Sequence, residues 1–254
     1  MSLLRVEHLR KSFGGVHAVD DVSFALEPGE LLAMIGPNGA GKTTCFNCIN
    51  GQLVADGGSA MLDGQQLVGR TPREIWRLGV GRTFQIAATY GSMTVAENVQ
   101  MGLMSHAGRL HRWWERAAQA FRDEALALLD AVGLAALADQ PCATLAYGDI
   151  KRVELAVALS NSPRLLLMDE PTAGMAPRER NELVALVKQL VRERRIGVLF
   201  TEHSMDVVFS YADRIIVLAR GKLIAEGEPA QIRDDPAVRE VYFGTGRAMG
   251  AGAR

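Results

Sequence analysis

The sequence predicts an α/β fold in which a helical insert separates two runs of strands and helices. Three observations predict it. Leu31-Leu32-Ala33-Met34-Ile35 is a short unbroken apolar run, the pattern of a strand buried on both faces, and it ends in Gly36 with a helix expected from Lys42. Residues 94–160 read as mostly helical. Beyond them Leu165–Met168 and Val198–Phe200 are again short apolar runs, joined by an amphipathic stretch with Leu183, Leu186, Val187 and Leu190 on one face.

The individual elements follow in order. Val22, Phe24 and Leu26 alternate with polar or small residues, as in a half-buried strand, and Pro28-Gly29 turns the chain towards Leu31. Asp63-Gly64, between Ala60–Leu62 and Gln65–Val68, is a strong hairpin signal. Thr71-Pro72-Arg73-Glu74 marks a helix start, with Thr as N-cap, Pro at the first helical position and Glu at the capping-box position. Thr94 with Glu97 predicts a second capping box. From Trp113 to Val132, Phe121, Ala125, Leu128 and Val132 recur at helical spacing. Ile215–Leu218 and Leu223–Ala225 flank Gly221-Lys222, which predicts another hairpin. The Gly-rich tail Gly244–Arg254 is expected to be mobile. No internal repeat and no long linker interrupts this order.

A chain of 254 residues suits one large domain or two small ones, and a single α/β domain of this size is ordinary. Hydrophobic residues are 48% and charged residues 22%, which excludes wholesale disorder and collagen-like or mucin-like chains. The net charge is -1, so no global basic field points to nucleic acid or to an anionic membrane surface. Three cysteines and the lack of a secretory-type stretch at Met1–Arg10 predict a reducing, cytoplasmic setting. No apolar run approaches the ~18–20 residues needed to span a bilayer, so work at a membrane would require another chain.

Gly36-Pro37-Asn38-Gly39-Ala40-Gly41-Lys42-Thr43 fits the pattern G-x-x-x-x-G-K-[ST] in full and has the context that pattern requires, a strand before it and a helix after. Its glycines let backbone N–H groups curl around phosphate oxygens, and the helix N-terminus adds partial positive charge. Lys42 would reach the β- and γ-phosphates, and the Thr43 hydroxyl would hold Mg²⁺. Leu165–Met168 runs into Asp169-Glu170: at a strand end Asp169 can reach the same metal, and Glu170 can polarise a water in line with the γ-phosphate. Thr201-Glu202-His203 follows a further apolar run, and polar strand ends in one sheet of this kind converge on one edge. Cys45-Phe46-Asn47-Cys48 is a C-x-x-C on the helix after the glycine loop, read as packing rather than redox chemistry, although a helix N-terminus can make Cys45 somewhat acidic. His106 and His111 lack companions at ligand spacing. Trp113-Trp114 with Arg112 and Arg116 reads as the start of an amphipathic helix, with membrane-surface contact the alternative.

Together these motifs resemble the nucleotide-binding subunit of an ABC transporter over residues 1–243. The resemblance matches Gln85 to a glutamine that follows a strand, Leu145-Ala146-Tyr147-Gly148-Asp149 to a signature LSGGQ that opens a helix, His203 to a switch histidine, and Phe13 to an aromatic that stacks on adenine. Within the family the sequence is most similar to ATPases of branched-chain and hydrophobic amino-acid uptake, on its Leu-Ala-Tyr-Gly signature, on Pro171-Thr172-Ala173-Gly174-Met175-Ala176-Pro177, and on Gly227-Glu228-Pro229 through Val241-Tyr242-Phe243-Gly244. Two residues depart from the family pattern: the signature serine is Ala146, and the loop aspartate before the proline is Ala176.

The resemblance implies a P-loop nucleotide-hydrolase core with an N-terminal antiparallel β subdomain and an inserted helical subdomain. It implies one domain over residues 1–254, with 1–90 and 160–243 as the core and β subdomain, 91–159 as the helical subdomain and 244–254 as the tail. ATP and Mg²⁺ are the implied ligands. Phe13, Gly36, Asn38, Gly39, Ala40, Gly41, Lys42, Thr43 and Thr44 would bind the nucleotide, with Leu145, Ala146, Tyr147 and Gly148 contributed across a dimer. Thr43, Gln85 and Asp169 would hold the metal; Glu170, His203, Lys42 and Gln85 would serve hydrolysis. The implied partners are a second ATPase subunit (identical or related), two transmembrane permeases and a periplasmic or extracellular substrate-binding protein, with no nucleic acid. The implied place is the cytoplasmic face of the cell membrane. Urea uptake and lipopolysaccharide export are the alternative cargoes, and a soluble ABC-type ATPase acting on DNA or ribosomes is the rival from another class.

Overall fold

The computed structural model describes residues 2–83, 89–108 and 121–243. The chain opens with β1 (Leu4–Phe13), β2 (Val16–Leu26) and β3 (Leu31–Ile35), followed by α1 (Lys42–Ile49), β4 (Gly57–Leu62), β5 (Gln65–Gln66), α2 (Pro72–Arg77) and β6 (Val80–Thr83). Helices α3 (Val95–His106), α4 (Arg122–Ala131) and α5 (Tyr147–Leu159) come next. The chain then returns to β7 (Leu165–Asp169), α6 (Pro177–Arg194), β8 (Gly197–Thr201), α7 (Met205–Tyr211), β9 (Arg214–Ala219), β10 (Lys222–Gly227), α8 (Pro229–Asp234) and α9 (Pro236–Phe243).

Two sheets form. One is antiparallel, in the order β2-β1-β4-β5. The other runs β10-β9-β3-β8-β7-β6, parallel except for the β9–β10 hairpin. Every residue of β3, β7 and β8 is buried, which is why these strands read as unbroken apolar runs. Alternate residues of β3 belong to different cores. Leu31, Ala33 and Ile35 pack with residues of α5, α6 and α7, whereas Leu32 and Met34 pack with α1 and the antiparallel sheet.

The hairpins and helix starts form for the reasons their residues suggest. Asp63 and Gly64 both take positive φ (44° and 78°), the twist that joins β4 to β5. The second hairpin turns on Arg220 and Gly221 (φ 51° and 79°), one residue earlier than expected, and Lys222 already belongs to β10. Both capping boxes close: the Thr71 N–H donates to Glu74 at 2.8 Å and the Thr94 N–H to Glu97 at 2.8 Å. Helix α4 starts at Arg122, with Phe121 as its N-cap at φ 59°, and buries Ala125 and Leu129. The rest of the stretch expected from Trp113, with His111, Gln85 and the tail Gly244–Arg254, lies outside the described residues.

Strand β1 had no sequence signal. Its buried residues, Leu4, Val6 and Leu9, break alternation after Val6, because the β1–β2 ladder shifts register between Val6 and Leu9. His8 and Asp21 bulge there at φ 50° and 63°.

Phe46 on α1 is fully buried in the core between the two sheets. Phe46→Ala should lower unfolding stability by ~3–5 kcal/mol, measured by urea denaturation. A loss under about 1 kcal/mol would show that α1 is not seated in that core.

Candidate active site

The glycine loop leaves β3 at the C-terminal edge of the parallel sheet, and its path is set by two close approaches. A Cβ at Gly36 would strike the Leu218 carbonyl of β9, and one at Gly41, which sits at φ 104°, would strike the Ala18 carbonyl of β2. The loop is further pinned by the Gly221 N–H, which donates to the Ala40 carbonyl at 3.0 Å. Gly41 is the N-cap of α1 and no side chain caps this end, so the first-turn amides are available to an anion.

Lys42 is buried and lies across the loop, its Nζ donating to the carbonyls of Gly36 (2.6 Å) and Pro37 (3.2 Å). Burial holds its amine below the usual lysine range, while the carboxylates of Glu170 and Asp169 act in the opposite direction. The surrounding cleft has a volume of about 450 Å³, of the size that holds a small-molecule ligand. It is lined by the glycine-loop and first-turn residues Asn38, Gly39, Ala40, Gly41, Lys42, Thr43 and Thr44, by Glu170 and His203, and by Phe13 and Ala18. Phe13 is 49% exposed, with the Lys11 ammonium 5.5 Å from its ring centre, so it is a platform at the cleft rather than a core residue. Asp56 holds this corner by accepting from Lys11 Nζ and from the Ser12 N–H, both at 2.7 Å.

The acids stand where β7 ends. Asp169 is buried and accepts from the Thr201 hydroxyl at 2.7 Å. Glu170 takes φ 49°, a left-handed conformation that costs a non-glycine residue roughly 1–3 kcal/mol. Its N–H is held by the Thr201 carbonyl (3.2 Å) and hydroxyl (3.1 Å). That turn aims the Glu170 carboxylate at His203, whose Nε2 lies 2.8 Å from Oε1. The Glu170 side chain is 20% exposed and that of His203 51%, so the pair faces the open cleft.

The signature residues are elsewhere. None of Leu145, Ala146, Tyr147 and Gly148 lines this cleft. Ala146 is the exposed N-cap of α5, without a side-chain cap, and the adjacent Tyr147 hydroxyl donates to the Ala173 carbonyl at 3.2 Å. Gly148 is buried close to the Glu179 carboxylate of α6. Ala176 caps α6 with its backbone N–H donating to Glu179 at 3.4 Å. Gln85 lies outside the described residues. Tyr90, just beyond it, is 60% exposed, its backbone clamped by Asn98, which accepts from its N–H at 2.8 Å.

Sequence reasoning gave no role to Thr172 or Tyr242 and named Thr201 and Glu202 only as neighbours of His203. The Tyr242 phenol on α9 is pushed up to about 12 by burial, with a hydrogen bond from the Gly36 backbone acting against that shift. A gap of 206 positions (242 − 36) separates these two residues in the chain, and no local pattern joins them.

The donors suit Mg²⁺ bound together with a phosphate ligand. Among the described residues no group of three or more His, Cys, Asp or Glu could hold a metal by itself. The site offers hard oxygens, the exposed Thr43 hydroxyl and the Asp169 carboxylate, and Mg²⁺ bound in this way completes its shell with phosphate and water.

The family described as ABC transporter matches residues 19–173, and the family described as branched-chain amino acid ATP-binding cassette transporter matches residues 222–248. The chain belongs to the ABC transporter family, as an ATP-binding subunit that hydrolyses ATP to drive transport. It is 39% identical to the high-affinity branched-chain amino acid transport ATP-binding protein BraF of Pseudomonas aeruginosa, over 95% of this chain and 98% of that protein. It is also 39% identical to LivG of Escherichia coli, named for the same transport, over 95% and 98%. Among solved structures it resembles the ADP conformation of the ATP-binding cassette MJ1267, with 34% identity, a TM-score of 0.86, and coverage of 96% of this chain and 99% of that one. Among the described residues no helix is long and apolar enough to cross a membrane.

Cys45 and Cys48 are buried packing residues. Burial raises the Cys45 thiol far above its ordinary range, which reverses the acidity expected from the helix N-terminus, and raises Cys48 to about 11. The thiolate is the reactive form, and burial disfavours it at both cysteines. Iodoacetamide at pH 8 should therefore label neither thiol in the native chain and both in urea. Rapid native labelling would contradict their burial.

Proposed function

We propose that this chain powers the uptake of branched-chain amino acids from the cytoplasmic face of the cell membrane. The observation that carries the cargo is the match of residues 222–248 to the branched-chain cassette family, supported by the names of the full-length relatives. The proposed partners are a second cassette, two transmembrane permeases and a substrate-binding protein outside the membrane. Residues 91–159 serve as the helical part that meets the permeases, with the exposed Tyr90 at its approach.

The roles in hydrolysis follow from the cleft. Adenine stacks on Phe13, and the phosphates lie on the amides of Gly36 to Thr44. Lys42 leaves the Gly36 and Pro37 carbonyls for the β- and γ-phosphates. Thr43, Asp169 and Gln85 would hold Mg²⁺, which would neutralise charge on the phosphate oxygens. Glu170 accepts a hydrogen bond from the attacking water and takes its proton as the water oxygen bonds to the γ-phosphorus and ADP departs in line. His203 orients Glu170 through the 2.8 Å contact and donates towards the γ-phosphate. Leu145, Ala146, Tyr147 and Gly148, absent from this chain's own cleft, close the partner's site.

Glu170→Gln keeps the side chain's size but removes the base. ATP should remain bound, phosphate release should fall by ~10²–10⁴-fold, and a nucleotide-bound dimer should accumulate on gel filtration. In cells lacking the chain, the wild type should restore leucine, isoleucine and valine uptake and the variant should not. Normal hydrolysis by the variant would remove Glu170 from this role. Uptake of those amino acids that is indifferent to the wild-type chain would remove the cargo.

Ala146 and Ala176 offer no side-chain hydrogen bond across the dimer, and each such bond is worth ~0.5–1.5 kcal/mol. The isolated chain should therefore dimerise weakly on ATP, with a rate per subunit that falls on dilution. Assembly with the membrane subunits should restore that rate. A constant, fast rate down to nanomolar chain would mean that other contacts hold the halves together.

A further inference from the structure

The parallel ladder between β7 and β8 ends at the pair Asp169 and Thr201, and beyond it the two chains separate into loops. One loop carries Glu170 and continues through Pro171-Thr172-Ala173-Gly174-Met175-Ala176; the other carries His203. After the Glu170 N–H to Thr201, the next connection between them is made by a side chain. Glu202 is 4% exposed, and its Oε1 accepts from the Thr172 N–H at 3.0 Å and from the Thr172 hydroxyl at 2.6 Å. Its other oxygen accepts from the His203 N–H at 3.2 Å. Thr172 is itself buried, at 3%. A carboxylate this deeply placed is tolerated because it is hydrogen-bonded, and here all three donors come from the two loops it separates.

We propose that Glu202 is a positioning residue that locks the loop at 171–176 and the backbone of His203 into one unit, so that a push on the loop's exposed side is transmitted to the histidine. The inference rests on the reading of Glu170 and His203 as the pair that serves hydrolysis. The loop is reached from outside at Gly174 and Ala176, which are exposed, while Thr172, two residues after Glu170, is the inner anchor. With Glu202 in place, His203 Nε2 and Glu170 Oε1 are held from both sides of their contact: Glu170 by Thr201, His203 by Glu202. Without it, the His203 backbone loses its tie to β7's loop and the ring is free to leave Glu170. Neither Glu202 nor Thr172 lines the nucleotide cleft, so neither side chain meets ATP directly and the lock acts on ATP only through His203.

The test uses the full chain at concentrations where the wild type is dimeric with ATP. Glu202→Ala should lower kcat by about 10- to 100-fold, the range for losing hydrogen bonds to a charged group. ATP binding, measured by equilibrium titration, should stay within about twofold of wild type. Thr172→Val, which keeps the N–H but loses the hydroxyl, should lower kcat in the same direction, and Thr172→Ser, which keeps both donors, should restore it. The double variant Glu202→Ala with Thr172→Val should be no worse than Glu202→Ala alone, because the hydroxyl bond that Thr172→Val removes is already lost with the Glu202 carboxylate. If Glu202→Ala does not fold, the Val and Ser variants at Thr172 carry the test. Normal kcat in Glu202→Ala and Thr172→Val, beside an inactive Glu170→Gln, would overturn this inference and leave the reading of Glu170 standing. Normal kcat in all three would overturn both. Equal losses of ATP affinity and kcat, with no recovery in Thr172→Ser, would also overturn it, since they would mark a merely structural residue.

Discussion

Parallel pairing of β3, β8 and β7 brings three strand ends to one edge of one sheet, and the groups that line the cleft depend on it. The register sets Met34 against Thr201 and Asp169 against Thr201, so the glycine loop, the acids and the histidine start from neighbouring points. Thr201 is the hinge of this arrangement. Its hydroxyl donates to Asp169 and accepts from the Glu170 N–H, and its carbonyl accepts from the same N–H. A β-branched residue that is 1% exposed at a strand end meets all three demands, being stiff enough to hold position and polar enough to use it.

Two unfavourable local features sit on this frame, and both face the cleft. Glu170 is held in a left-handed conformation, and Lys42 is buried with backbone carbonyls as its hydrogen-bond acceptors. Each is stabilised by neighbours rather than by its own preference: Glu170 by Thr201, and the Lys42 charge by the carboxylates of Asp169 and Glu170. A phosphate group entering between them would replace the carbonyls as partner of the ammonium and would meet uncapped amides at the start of α1. In the proposed reading these donors would be in place before the nucleotide arrives, which is the electrostatic requirement of phosphoryl transfer.

How much of this was legible in the sequence depended on whether the information was contiguous. The glycine loop is eight adjacent residues with a strand before and a helix after, so pattern and context could be read together. The buried strands announced themselves because both faces are covered, and the hairpin and capping residues act within a few positions of each other. Strand β1 was hidden by the bulge at His8, which spoils its alternation after Val6. The packing role of Cys45 was legible, but the direction of its acidity was not, because a helix N-terminus is local whereas complete burial is a product of the tertiary fold. Glu202 looked like the polar neighbour of a histidine. Its partner Thr172 is thirty residues away, and only the pairing of β7 with β8 reveals that they meet.

The same geometry explains why one chain presents two unlike surfaces. The cleft surface carries the glycine loop, Glu170 and His203; the other carries Ala146, Tyr147 and the loop at 173–176, which touch through the Tyr147 hydroxyl and the Ala173 carbonyl. The loop belongs to both. At its inner end Glu202 ties it to His203, and at its outer end it forms part of the exposed face beside the signature helix. Where an aspartate and a serine would have given that face its own polar contacts, Ala176 and Ala146 leave backbone groups and shape. Pairing of two such faces, as proposed for the ATP-bound dimer, would then depend more on the position of the loop than on side-chain hydrogen bonds. A loop fixed by a buried carboxylate on its inner side keeps that position better than one held only by its two ends, because fewer conformations must be given up when the surfaces meet.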